Sequence, residues 1–312
     1  MGKTPEDLEA SRKKREFVIQ QFGEVPTSVW NINYSKSKDD TILLESRGQN
    51  QVGEEKHKKM KYNLKTFENQ SGETTEFNQM TKDFKMSSLN VRGKSSGLST
   101  FPVDLCRKIV AFYSEEGDTI LDPCAGRASR LPTVHKMNRN YIGYDVCHEF
   151  MEVNREIAKE LTDNQLFKSP YTITLHEQTS EKMVESDESV DLVMTSPPYW
   201  DVEFYDDNPA QLGYKHTYLE FLEGIRRIMQ ESYRVLKPGK FCVFNVNDFR
   251  KEGDFYMYHA DTARIMEEVG LKLCDIIIIP WSSCVGAAFA DQVWQRKITA
   301  KKHEYLIVSR KI

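Results

Sequence analysis

From Thr100 onward, short apolar runs of strand length alternate with stretches of helical period, and this alternation constrains the fold more than any other feature of the chain. The predicted strands are Thr119–Asp122, Tyr141–Val146, Tyr171–Glu177, Val190–Ser196, Lys240–Asn247, Leu271–Pro280 and His303–Arg310. The predicted helices are Pro102–Ser114, Ala128–Met137, His148–Leu161, Thr217–Val235 and Asp261–Val269. In the first of these, Leu105, Ile109, Phe112 and Tyr113 fall on one face. Strand–helix alternation implies right-handed crossovers and a mostly parallel, doubly wound α/β sheet. The relative direction of the last two strands is left open by a long irregular segment between them. In such a sheet a ligand sits beyond the C-terminal strand ends, where the strand order reverses.

The first hundred residues read differently. Thr4-Pro5-Glu6-Asp7 has the signature of a helix start, and a helix is predicted to about Gln21. A short apolar island, Val25-Pro26-Thr27-Ser28-Val29-Trp30, follows. Residues 35–97 are polar and lack periodicity, which predicts a flexible segment or one that orders on binding. Two units are therefore expected: an N-terminal extension over 1–97, open to contacts with a partner, and a second domain over 98–312. No apolar run approaches the ~20 residues of a membrane helix; Ile276-Ile277-Ile278-Ile279 is strand-sized. The N-terminus lacks an apolar signal core, so a cytoplasmic protein without a membrane partner is expected. The six cysteines form no CxxC pair, so neither a disulfide framework nor a metal site is expected. A net charge of −4 argues against a general polyanion-coating protein. Two stretches are locally basic: Lys56 to Lys65, and a C-terminal one with Arg296, Lys297, Lys301, Lys302, Arg310 and Lys311.

The predicted strand ends carry the chemistry. The first ends in Asp122-Pro123-Cys124-Ala125-Gly126, a carboxylate and a tight turn leading to a helix. Asp122 is placed to accept hydrogen bonds from an ammonium group, and Gly126 to let a ligand approach the backbone. With one glycine this is not a dinucleotide fingerprint, and an NAD-dependent oxidoreductase is disfavoured. The second strand ends at Asp145, about 20 residues beyond the first turn, where an acid binds ribose hydroxyls. Capping of the following helix is the plainer alternative. Gln178, after the third strand, is a candidate for an adenine amine. The fourth strand ends in Ser196-Pro197-Pro198-Tyr199-Trp200. Two prolines remove two donors and stiffen the turn, leaving carbonyl oxygens to face outward. The Ser196 hydroxyl and Pro197 carbonyl suit the two hydrogens of an exocyclic NH2. Tyr199 suits stacking on a planar base, worth roughly 1–3 kcal/mol. Trp200 adds a second flat face for nucleic acid.

The pairing of Asp122-Pro123-x-x-Gly126 with Ser196-Pro197-Pro198-Tyr199 resembles the amino-methyltransferases of DNA, the N4-cytosine and N6-adenine class of phage and bacterial modification methylases. Ser99-Thr100-Phe101-Pro102, Leu236-Lys237-Pro238-Gly239-Lys240 and Lys302-His303-Glu304-Tyr305 are similar to that family as well. The resemblance implies a Rossmann-like seven-stranded sheet and S-adenosylmethionine as cofactor. It implies cofactor contacts from Thr100, Phe101, Asp122, Pro123, Cys124, Ala125, Gly126, Asp145, Gln178 and Ser196. It implies catalytic roles for Ser196, Pro197, Pro198 and Tyr199. Cys124 stands where the family usually has an aromatic residue, and Ala128 where it has a second glycine.

The resemblance also implies DNA as partner, a flipped-out target base, a bacterial or phage-infected cell, and a restriction or self-protection setting. A homodimer is left open. Ser at position 196 favours N4 of cytosine over N6 of adenine. Lys297, Lys301 and Lys302, with Trp200, are the expected nucleic-acid contacts. An RNA amino-methyltransferase shares the catalytic turn. A protein-glutamine methyltransferase usually carries Asn in place of Ser196. A non-catalytic cofactor-fold protein has no need of Ser-Pro-Pro-Tyr and both acids.

Overall fold

The computed structural model describes residues 26–32, 101–126, 129–163, 169–200, 208–281 and 290–312, together with helical positions scattered between 9 and 20. The remainder of the segment predicted as the N-terminal helix, and the polar stretch 35–97, lie outside the described residues.

Helix α1 (Val103–Tyr113) leads into β1 (Thr119–Asp122), then α2 (Arg130–Lys136) and β2 (Asn140–Asp145). Helix α3 (His148–Asp163), β3 (Ile173–Glu177) and β4 (Val190–Thr195) follow, then α4 (Tyr218–Val235) and β5 (Leu236–Val246). A hairpin of β6 (Phe249–Lys251) and β7 (Asp254–Tyr256) precedes α5 (Tyr258–Glu268) and β8 (Lys272–Pro280). Helix α6 (Ala290–Arg296) and β9 (His303–Arg310) close the chain.

Seven strands form one sheet in the order β3-β2-β1-β4-β5-β9-β8. The pairs β3–β2, β2–β1, β1–β4 and β4–β5 are parallel. β9 inserts antiparallel between β5 and β8, which settles the direction that the sequence left open. The order reverses between β1 and β4, so the expected Rossmann-like, doubly wound sheet is present and its crevice opens above those two strands.

Local chemistry explains most boundaries. Thr217 and Glu220 form a reciprocal capping box at the start of α4. In α1 the buried face is Leu105, Cys106, Ile109, Val110 and Tyr113. Phe112, predicted on that face, is 43% exposed and sets its edge against Trp30. The β6–β7 hairpin escaped sequence reading. Its signal is Glu252-Gly253, both with positive φ (53° and 99°), the pair a two-residue hairpin turn requires.

Two apolar clusters fill the two faces of the sheet. One contains Trp30, which is 1% exposed and lies 6.2 Å from Tyr113 in a stacked arrangement. The Trp30 amide donates to the Ile278 carbonyl, and the Ile278 amide to the Ser28 carbonyl, so this segment extends the β8 edge. The boundary expected at residue 97 therefore does not separate Trp30 from the core of the following residues. Burying a tryptophan there contributes hydrophobic area that a short apolar island cannot bury alone.

Candidate active site

Above β1 and β4 lies a cavity of about 400 Å³, and most of the predicted site residues meet there. Phe101, Pro123, Cys124, Gly126, Asp145 and Gln178 line it together with Ser196, Pro197, Pro198 and Tyr199. Thr100 lies outside the described residues. Ala125 is buried beside the cavity rather than in its wall.

The turn after β1 is built as a closed polar network. The Cys124 amide donates to the Thr195 hydroxyl (3.1 Å), and the Gly126 amide to the Asp145 carboxylate (2.7 Å). The Ala125 amide donates to the Tyr144 carbonyl. The Pro123 carbonyl accepts from Ser180, and the Gly126 carbonyl from Asn154. Gly126 has φ 52°, the left-handed region that glycine enters without strain.

Asp122 departs from its expected role. Its side chain is fully buried and does not reach the cavity. One oxygen accepts from Thr195 Oγ1 (2.8 Å) and, more weakly, from the Cys124 amide (3.3 Å). The other accepts from Arg130 Nε (2.5 Å) and the Tyr141 hydroxyl (2.9 Å). A carboxylate has about four lone-pair sites, and all are taken. Asp122 thus anchors the turn instead of meeting an ammonium group directly. Gly143 makes this possible, because a Cβ there would sit 2.7 Å from the Tyr141 ring that crosses it to reach Asp122.

Asp145 stands at the end of β2, half-buried, accepting from the Gly126 and Cys147 amides. Burial pushes its carboxyl up to about 6, and those two amides partly counter the shift. It lines the cavity, with acceptor capacity left for ligand hydroxyls. Gln178 is exposed at the rim, where its amide reaches the Lys182 carbonyl. Burial first, then the Asp145 and Asp122 charges, push the Cys124 thiol well up, so it carries no thiolate at neutral pH.

The turn after β4 is organised differently. The Ser196 hydroxyl and the Pro197 carbonyl have no hydrogen-bond partner among the described residues. Tyr199 is half-buried, edge-on to Tyr258 at 6.3 Å. Trp200 does not offer the stacking face expected of it. It is 6% exposed, its indole donates to the Lys215 carbonyl, and Tyr218, Tyr256 and the Lys251 ammonium surround the ring. Its φ of 48° is strained for a tryptophan, and that strained corner redirects the chain behind Tyr199.

Sequence reasoning missed a second set of residues in the wall. Thr195 pairs with Phe244 in the β4–β5 register, which makes Asn245 the lateral neighbour of Ser196. Asn245 is 2% exposed; its Nδ2 donates to Glu304, and its Oδ1 has no partner among the described residues. Trp281 donates to the other Glu304 oxygen (2.7 Å). The motif around Glu304 was visible, but its contact with Asn245 depends on β9 inserting beside β5. Arg130 also lines the cavity, and a cation eight residues after Asp122 was the available sign of a buried partner.

The predicted nucleic-acid lysines divide. Lys297 and Lys302 are exposed, with Lys297 Nζ 3.3 Å over the exposed Trp294 ring. Lys301 donates to the Asp248 carbonyl, and burial lowers its pKa to about 8 against the pull of Asp248. The Lys56–Lys65 run lies outside the described residues. Among the described residues no group of three potential metal ligands occurs, and no helix is long and apolar enough to cross a membrane.

A family model for DNA methylases of the N6 and N4 type matches residues 4–159 and 190–311. The type II methyltransferase M.XycI of Xanthomonas campestris pv. cyanopsidis is 33% identical over 114 residues, 34% of this chain and 37% of the relative. M.MthZI of Methanothermobacter thermautotrophicus is 27% identical over 143 residues, 40% of each chain. M.SfiI of Streptomyces fimbriatus is 39% identical over 62 residues, 20% of this chain and 14% of the relative. The matches thus span at most 40% of the length of these curated relatives. A suspected DNA modification methylase of Thermus thermophilus, solved with S-adenosyl-L-methionine, is 27% identical over 43% of this chain and 51% of its own, with a TM-score of 0.33.

Proposed function

The chain belongs to the N6/N4 family of DNA methylases, and on that premise we propose that it transfers a methyl group from S-adenosylmethionine to the exocyclic amine of a flipped-out DNA base, N4 of cytosine by preference. The observation that carries this reading is that Ser196-Pro197-Pro198-Tyr199 shares one cavity with Asp145 and the turn after β1.

The cavity suits this cofactor in its donor set. Asp145 holds ribose hydroxyls, Gln178 stands at the rim on the adenine side, and Gly126 lets the ligand approach the turn. Phe101 provides an apolar wall. When bound, S-adenosylmethionine supplies an electrophilic methyl group on its sulfonium. The chain supplies position and polarity. An exocyclic amine is a poor nucleophile because its lone pair is delocalised into the ring. Two acceptors, Ser196 Oγ and the Pro197 carbonyl, hold its two hydrogens and favour a nitrogen whose lone pair projects toward the electrophile; once methylated, the nitrogen gives up one of those protons by way of Ser196 Oγ to water. The prolines fix that geometry before the base arrives, so little reorganisation is needed at transfer. Tyr199 covers the face of the base. Asn245 and Glu304, beside Ser196, extend the acceptor wall. Lys297 and Lys302 contact phosphates.

The preference for cytosine rests on Ser at position 196 alone, and the same acceptors serve N6 of adenine. Mass spectrometry of nucleosides from DNA incubated with the protein and labelled S-adenosylmethionine tests both points. N4-methylcytosine is expected. N6-methyladenine keeps the mechanism and reverses the base. Unmodified DNA beside methylated RNA moves the activity to the other polymer.

A further inference from the structure

We propose that Arg130 is a cofactor-binding residue that holds the methionine carboxylate of S-adenosylmethionine through its Nη1 amino group. The proposal rests on the assignment of the cavity to that cofactor.

Arg130 opens α2, directly after the turn, and is 5% exposed. Three of its contacts fix its orientation. Nε donates to Asp122 Oδ2 at 2.5 Å, and Nη2 donates to the Cys124 and Ala125 carbonyls at 2.5 and 3.1 Å. The guanidinium carbon lies 4.9 Å from the centroid of the Phe101 ring. These contacts consume Nε and Nη2. Nη1, with two N–H donors, has no partner among the described residues, although the side chain lines the cavity. With Nε and Nη2 held in place, Nη1 is the edge left open toward the cavity among the described residues, where an acceptor on a ligand can reach it.

The charges at the cavity narrow what that acceptor is. Asp122, the acid expected at the amino-acid end of the cofactor, is withdrawn below the wall and saturated. Arg130 takes its place at the surface. Burial alone would lower the guanidinium pKa, but Asp122 beside it outweighs that and holds it charged. Among the described wall residues it is the only arginine or lysine, while Asp145 and Glu304 are the acids. S-adenosylmethionine carries one carboxylate, and Arg130 is the one cation in the described wall to meet it. A planar guanidinium bridges two carboxylates without losing its geometry, one through Nε and the other through Nη1. Stacking on Phe101 keeps that edge from swinging away. The arginine then does two jobs: it clamps the turn and it receives the ligand.

Removing the carboxylate from the ligand separates the two jobs. Calorimetry on the full chain compares S-adenosylhomocysteine with its decarboxylated counterpart, which keeps the adenosine and the amine. The wild-type protein is expected to favour the carboxylate by about 10- to 100-fold, as for a charge-assisted hydrogen bond in a desolvated site. Arg130→Lys, which keeps the positive charge beside Asp122 but gives up the clamp on the Cys124 and Ala125 carbonyls, should erase that preference by weakening the carboxylate-bearing ligand more than the decarboxylated one. Equal weakening of both ligands would reduce Arg130 to a turn clamp and overturn the proposal. So would a wild-type protein that binds both alike. If neither ligand binds the wild-type protein, the cofactor assignment fails, and this proposal fails with it. Should Arg130→Lys not fold, the Arg130 Nε–H signal in the NMR spectrum of the wild-type protein provides the second readout. It should shift with S-adenosylhomocysteine and stay in place with the decarboxylated ligand; the same shift with both would also overturn the proposal.

Discussion

The turns after β1 and β4 lie side by side at the same edge of the sheet, yet they are built on opposite principles. After β1, every backbone donor and acceptor from Pro123 to Gly126 has a protein partner, and Asp122 beneath them is saturated. After β4, two prolines carry no donor, and the Ser196 hydroxyl and Pro197 carbonyl are left without partners among the described residues. A closed network makes a rigid bed, since each member holds its neighbour in place. An open one holds its shape through covalent stiffness instead and keeps its acceptors for whatever enters. The difference fits the two tasks proposed here: a cofactor of constant shape on the first turn, and a reacting amine on the second.

The sharpest way to break the contrast is to open the closed turn. Asp122→Ala leaves the Arg130 guanidinium buried without its carboxylate, and Thr195 and Tyr141 without an acceptor. Loss of one partner of a buried pair costs about 3–5 kcal/mol. Urea unfolding at neutral pH should register a loss of that size. A change below about 1 kcal/mol would mean that Arg130 finds water or another acceptor, and that the turn is less closed than it looks.

The open turn should respond in function and not in stability. Tyr199→Ala removes the ring proposed to cover the base, with stacking worth about 1–3 kcal/mol. Turnover on DNA should fall by about 10- to 100-fold while calorimetric affinity for S-adenosylhomocysteine changes little. Parallel loss of both would place Tyr199 in the support of the cavity, through its contact with Tyr258.

How much of this was legible in the sequence follows the same division. Ser196-Pro197-Pro198-Tyr199 was readable as a part of the cavity wall because its residues are contiguous. The strand–helix alternation was readable for the same reason, through periodicity. Asp122 was found at the right place and given the wrong neighbour, because its partners Arg130, Tyr141 and Thr195 converge only when β1, β2 and β4 pair. Trp200 was misjudged because an aromatic next to a proline-rich turn looks the same on paper whether it faces a ligand or the core. Asn245 and Glu304 come together only through the insertion of β9, whose direction no local pattern sets. Trp30 was seen as an apolar island, but its burial against Tyr113 spans more than eighty residues of chain.

Asp145 offers the finest test of how far the closed turn is completed by its ligand. Its carboxyl is raised from 3.8 to about 6, chiefly by burial. In the free protein, an acid raised on folding adds most stability below the unfolded value and loses that contribution as the pH rises through the folded one. Ligand hydroxyls favour the opposite, ionised form. Affinity for S-adenosylhomocysteine should therefore fall as the pH drops through about 6, by about tenfold for one unit of pKa coupling, while the free protein's share of stability from this group rises over the same interval. Calorimetry between pH 7.5 and 5, set beside urea unfolding of the free protein, measures both slopes. Asp145→Asn should flatten each of them. A flat affinity profile in the wild-type protein would show that Asp145 serves only the Gly126 and Cys147 amides, so that the turn after β1 is complete before any ligand arrives.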